Sequence, residues 1–266
     1  MLSKVRSELR DRLLRVVEEV SQRQDHVAEQ RHREQLGAIR AEADRVVAAV
    51  RGAIHEMEVR ARRDVFAAGE REAVASSARF ALEAMPFAMR FPHPHATLEH
   101  ALTVAPAHGL ALEFGVYSGQ TLKTISAARG GEVYGFDSFK GLPEAWRSGF
   151  PAGVFDLDQL PDVPGAELVV GWFDDTVPGF LAEHPGPVSF LHLDADLYSS
   201  TRTVLDLVGP RLQPGSIVLF DEYFNYLGWE DHEHRAWREY VARTGTRFEY
   251  LGYTIDNEQV IVRITG

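Results

Sequence analysis

Two short acidic runs carry the strongest chemical signal in the chain: His192-Leu193-Asp194-Ala195-Asp196 and Asp221-Glu222-Tyr223. Each closes an apolar stretch, VSFLHLD and SIVLFD, of the length and composition of a buried strand. Asp194 and Asp196 are two apart, so they project to one face if the strand continues. With the two strands side by side, four carboxylates converge on one sheet edge. Left alone they would repel strongly or be forced to take up protons. A divalent cation resolves the conflict, and an all-oxygen donor set in a chain without cysteine suits Mg²⁺, with Mn²⁺ or Ca²⁺ as substitutes. Such a cation binds a hydroxyl and lowers its pKa, and a nearby carboxylate or histidine takes the proton. The plainer alternative is that one or two of these acids only cap helices.

Three more strand ends suggest a nucleoside site. The run Glu113-Phe114-Gly115-Val116-Tyr117-Ser118-Gly119, followed by Gln120 and Thr121, turns a strand through two glycines into a helix. It is neither a dinucleotide fingerprint nor a P-loop. Glu113 at this end would repel a pyrophosphate and attract the ammonium of an amino acid, which favours S-adenosylmethionine (SAM) over NAD. Asp137 ends the next strand, 22 residues after Gly115. An acid there can accept both ribose hydroxyls, or serve simply as a turn residue, and Ser138 begins the loop beside it. At the third strand end, Trp172 and Phe173 could wall an adenine and Asp174 could meet its amine. Core aromatics and a helix cap explain the same residues. The loop from Phe224 to His234 mixes aromatic and polar groups and could line an acceptor pocket, with His232 and His234 expected on the solvent side of the following helix.

The elements that must position these residues are legible from about Leu110 onward. Strands are expected at 110–116, 132–137, 167–172, 188–194, 216–221, 247–254 and 259–265, and helices at 120–129, 176–184, 199–212 and 230–244. Repeated strand–helix units imply a doubly wound, mostly parallel, seven-stranded α/β sheet of the Rossmann-like kind, with a terminal hairpin adding one antiparallel strand. Ligands bind such sheets at the carboxyl ends of the strands, where all four chemical runs lie.

Residues 1–85 differ in kind. They hold no proline and are dense in Arg, Glu, Ala and Gln, which is helix-forming composition. Leu36, Ile39, Ala43, Val46, Val50, Ala53 and Met57 alternate steps of three and four, the seam of a coiled coil or of a long packed helix. Leu2, Val5, Leu9, Leu13, Val16 and Val20 form a less regular row, and a polar stretch lies between. The expected division is a helical arm at 1–85 and a catalytic domain at 86–266, the arm either pairing copies into a homo-oligomer, covering the site or packing on its own domain. The net charge of −11 makes nucleic acid a poor partner. No apolar run reaches the ~18 residues that cross a bilayer, and the N-terminus lacks a signal-peptide core, so a cytoplasmic location is expected.

Five blocks in order, LEFGVYSGQTL, GFDSFKGLPE, GWFDDTVPGF, HLDADLYSSTRTVL and LFDEYFNYLGWEDH, resemble the macrocin O-methyltransferase (TylF/MycF-like) family of class I SAM-dependent methyltransferases. The likeness covers about residues 86–266 and leaves the arm outside. It implies Mg²⁺-dependent methylation of a sugar hydroxyl on a small natural product, as in antibiotic biosynthesis. It implies Asp194, Asp221 and Glu222 as metal ligands and Asp196 as the general base. Glu113, Gly115, Tyr117, Ser118, Thr121, Asp137 and Ser138 would contact SAM, with Phe173 and Asp174 near adenine. The family pattern usually has two aspartates where this chain has Asp221-Glu222. Two other readings remain: a metal-independent SAM methyltransferase with another acceptor atom, and a non-catalytic assembly protein that uses its arm.

Overall fold

The computed structural model describes residues 2–266, with side chains described at 9, 10 and 12–266. Leu2 and Val5 of the N-terminal apolar row therefore lie outside the described side chains. The chain divides into two compact units, Met1–Ala67 and Ala68–Gly266. The first is built on helix α1 (Leu2–Arg63), whose 62 residues span about 90 Å at 1.5 Å each. Asp64 interrupts the helical run because its Oδ1 accepts the amides of Phe66 (2.9 Å) and Ala67 (3.1 Å). Those two bonds satisfy donors that the start of helix α2 (Val65–Ala84) would otherwise leave bare. Among the described residues no helix is long and apolar enough to cross a membrane.

The second unit is a doubly wound α/β sheet. Its strands are β1 (Met89–Phe91), β2 (Leu110–Phe114), β3 (Val133–Asp137), β4 (Glu167–Val170), β5 (Val188–Leu193), β6 (Leu212–Phe220), β7 (Phe248–Thr254) and β8 (Val260–Ile264). They lie in the order β1-β7-β8-β6-β5-β2-β3-β4, with β8 antiparallel to both of its neighbours and every other pair parallel. The sheet thus holds eight strands rather than the seven expected. The extra one, β1, spans three residues beside Pro92, too few for a period-two pattern, and is held by its pairing with β7.

Alternation assigns the two faces. Leu110, Leu112, Phe114, Val218 and Phe220 pack with Ala73, Ala81 and Met85, with α5 (Phe173–Glu183), with α6 (Tyr198–Val208) and with α7 (Glu233–Thr244). Ala111, Phe190, Ile217 and Leu219 pack on the other face with α3 (Pro94–Val104) and α4 (Gln120–Arg129). Buried on both sides, β2, β5 and the second half of β6 (217–220) are nearly continuous hydrophobic runs, as central parallel strands require. Helix α5 starts at Phe173 rather than 176, which puts Phe173 and Asp174 in its first turn. Strand β6 starts at Leu212 rather than 216.

Candidate active site

The central strands β2, β3, β5 and β6 end in loops that enclose a cavity of about 710 Å³. The backbone around it is strained. Of six non-glycine residues with positive φ among the described residues, five lie in these loops: Tyr117 (45°), Phe139 (53°), Phe155 (73°), Asp196 (58°) and Asn225 (69°). Such conformations persist only where the surroundings enforce them, and they cluster at functional sites.

Gly115 starts the first loop at φ 92°, where a Cβ would stand 1.7 Å from the carbonyl oxygen of Asp194. Only glycine lets the ends of β2 and β5 meet this closely. Asp137 anchors the loop: its Oδ2 accepts the amides of Val116 (2.9 Å) and Tyr117 (2.8 Å), and its Oδ1 accepts that of Phe139 (2.7 Å). A carboxylate has about four lone-pair sites, so Oδ1 keeps one for a ligand hydroxyl. Gly115, Tyr117, Asp137, Ser138, Phe173 and Asp174 all line the cavity, with Trp172 beside them.

Glu113, Ser118 and Thr121 do not line it. The reason for Glu113 is parity: it shares a face with Ala111, so its side chain turns under α4 rather than toward the strand-end mouth. It is fully buried, and its Oε1 lies 2.8 Å from Nδ1 of His192. Nε2 of His192 stands 3.5 Å from Oδ1 of Asp221, an ion-pair distance without a hydrogen bond. Burial disfavours the imidazolium, but hydrogen bonding and the charges of Asp221 and Glu113 raise the His192 pKa well above its ordinary value. Asp221 is held low: burial opposes its ionisation, and His192 outweighs burial.

The four carboxylates at the ends of β5 and β6 do converge, as two sets sharing Asp194. Ligand atoms of Asp194, Asp196 and Glu222 lie within 4.8 Å of one another, as do those of His192, Asp194 and Asp221. Only the first set faces the cavity. Burial, then Asp221, pushes the Asp194 carboxyl well above the carboxylate range, and the same two causes in the same order act on Glu222. Oε2 of Glu222 is buried without a hydrogen-bond partner. Two half-buried acids reluctant to ionise, one with a bare oxygen, form an all-oxygen donor set of the kind that suits a hard divalent ion. Asp196 is pushed up to about 7, chiefly by burial, while the Arg147 guanidinium pulls it down and Asp221 pushes it up.

Several site residues gave no sequence signal. Arg147 is the one cation among the residues lining the cavity, against seven carboxylates. It binds both oxygens of Glu258 (2.9 and 3.1 Å), 111 residues away, and its guanidinium lies 3.9 Å from the Trp146 ring centroid and 4.6 Å from that of Tyr226. Glu233, fully buried, accepts the backbone amide of Glu222 at 3.2 Å. His192 was findable, since it shares the period-two row of Asp194 and Asp196. His234 corrects an expectation: it is 8% exposed rather than solvent-facing, packed against Phe80 and Trp229.

The chain is 41% identical over 71 residues to a Streptomyces olivaceus enzyme named 8-demethyl-8-(2,3-dimethoxy-alpha-L-rhamnosyl)-tetracenomycin-C 4'-O-methyltransferase, covering 27% of this chain and 23% of that one. It is 27% identical over 158 residues to mycinamicin III 3''-O-methyltransferase of Micromonospora griseorubida, covering 47% of this chain and 61% of that one. The match therefore spans less than two thirds of either relative. A crystal structure of a calicheamicin methyltransferase superposes with a TM-score of 0.52 at 24% identity, covering 79% of this chain and 92% of that one. Residues 112–223, which run from β2 through the acidic pair, match the family described as a methyltransferase domain, and the sheet that carries them has the class I methyltransferase fold.

Proposed function

We propose that the protein is a SAM-dependent O-methyltransferase acting on a hydroxyl, in our reading a sugar hydroxyl, of a small natural product. The observation that carries this is the convergence of Asp194, Asp196 and Glu222 at the inner wall of a cavity that Gly115, Asp137 and Asp174 also line. The two relatives, named as O-methyltransferases of a rhamnosyl-tetracenomycin and of mycinamicin III, support the same reading.

In this scheme Asp137 offers its remaining lone pair to a ribose hydroxyl, and Trp172 and Phe173 wall the base. Asp194 and Glu222 would hold a divalent cation at the cavity wall, with Asp221 set behind them against His192; the cation would supply the Lewis acidity that makes an acceptor hydroxyl easier to deprotonate. Asp196 takes the hydroxyl proton. Its carboxyl, pushed up to about 7, matches a base that works near neutral pH. The oxygen attacks the sulfonium methyl in line, the carbon–sulfur bond breaks and the thioether leaves neutral. Arg147 favours the charged form of Asp196, and Trp146, Phe150 and Phe155 put apolar surface on the cavity wall, which excludes water.

The test is mass spectrometry of a panel of glycosides incubated with SAM and Mg²⁺. Addition of one methyl group to a sugar hydroxyl, lost after exhaustive EDTA treatment and restored by Mg²⁺, is expected. Undiminished transfer in EDTA would remove the cation and favour the metal-independent reading. Transfer to nitrogen alone would remove the hydroxyl acceptor.

A further inference from the structure

Helix α1 carries a long row of exposed apolar side chains. Leu36, Ile39, Val46, Val50 and Met57 are 51–73% exposed, and Val47 and Ile54, which flank the row, are 47% and 53% exposed. Helices stable in water owe most of that stability to packing an apolar face, so a bare seam of this length lacks a partner. We infer that residues 36–57 are a self-pairing seam, on which a second copy of this chain lies as a two-stranded coiled coil.

Two observations select a second copy. The first is the repeat. Steps of three and four from Leu36 to Met57 place seven residues at a and d positions, and knobs-into-holes packing demands the same 3.5-residue repeat on the facing helix. A second copy presents that repeat by construction. The second is charge. Between residues 36 and 57, Arg40, Arg45 and Arg51 are matched by Glu42, Asp44 and Glu56. In a chain of net charge −11, this neutral stretch lets two copies approach without like-charge repulsion. The interleaved signs also lack the basic block that nucleic acid or an anionic membrane requires.

The pairing is confined to this half of α1. From Val20 to Leu36 is 16 residues, about 4.4 turns, so Leu36 lies about 160° around the helix from Val20. A straight partner seated on 36–57 cannot also cover Leu13 and Val16, and the polar residues 21–35 separate the two rows.

Light scattering coupled to size exclusion, on the full chain at micromolar concentration, tests this. The unaltered protein is expected at the mass of two copies. Val46→Asp with Val50→Asp is expected at the mass of one, whereas Leu13→Asp with Val16→Asp stays at two. All four tryptophans and all eight tyrosines lie beyond α1, so near-ultraviolet circular dichroism reports whether the sheet unit of each variant is folded. A single-copy mass for the unaltered chain, three or more copies, or two copies in the folded Val46/Val50 variant would each overturn the inference. Loss of pairing in the folded Leu13/Val16 variant would overturn its placement.

Discussion

Asp196 combines three properties at one residue: a left-handed backbone, near-complete burial and a carboxyl pushed up to about 7. A non-glycine residue held there costs of order 1–2 kcal/mol, which points to a role for the side chain's placement. Asp196→Asn keeps the shape and removes the proton acceptor. Turnover is expected to fall by roughly 10²–10⁴-fold, with SAM affinity by calorimetry changed only slightly; unchanged turnover would move the base elsewhere. Arg147 acts through Glu258. Arg147→Met leaves that carboxylate partly buried and unpaired, and urea unfolding should show a loss of roughly 2 kcal/mol. That is less than the ~3–5 for a fully buried pair, because both side chains keep some contact with water. Glu258→Gln should cost less, since its amide still accepts from the guanidinium.

At the scale of elements, the ends of β2 and β5 depend on Gly115. Gly115→Ala drives a methyl into the Asp194 carbonyl and should cost on the order of 4 kcal/mol, whereas Gly130→Ala, with nothing within 4 Å, should cost about 1. Thermal unfolding of the two variants measures the contrast. The packing of α2 against α7 carries a pH dependence through His234. Burial first, and then the Arg238 charge, brings its pKa from 6.5 down to about 4. The unfolded chain takes up the proton more readily, so this contribution is complete above pH 6.5 and is lost as the pH falls toward 4, about 3 kcal/mol in all. Denaturation of His234→Phe at pH 7.5 and 4.5 should show a smaller pH difference than the unaltered chain; an equal difference would contradict this. What the sequence could reveal follows the same elements. Runs such as SFLHL and SIVLF mark central strands because both of their faces are buried, and the acids that follow them are thereby placed at one edge. Strand β1 is too short to show a period. Glu113 was placed at the right strand end, but its parity directs it under α4. The Arg147–Glu258 pair joins loops 111 residues apart and leaves no local pattern.

For the whole molecule, the sheet unit brings the Gly115 turn, Asp137 and an acidic wall to one cavity, and the SAM binding proposed there should stabilise the fold. SAM at about 100 times its Kd should add ~2.7 kcal/mol, a rise in Tm of roughly 5–10 °C for a unit of this size, and Asp137→Asn should reduce it. The most direct measurement concerns the acidic wall itself: titration of Mn²⁺ into protein saturated with S-adenosylhomocysteine, read by electron paramagnetic resonance. One tightly bound ion per chain is expected, and Asp194→Asn, which removes the residue shared by both carboxylate sets, should abolish it. No tight binding to the unaltered chain, or equal binding to Asp194→Asn, would contradict the assignment.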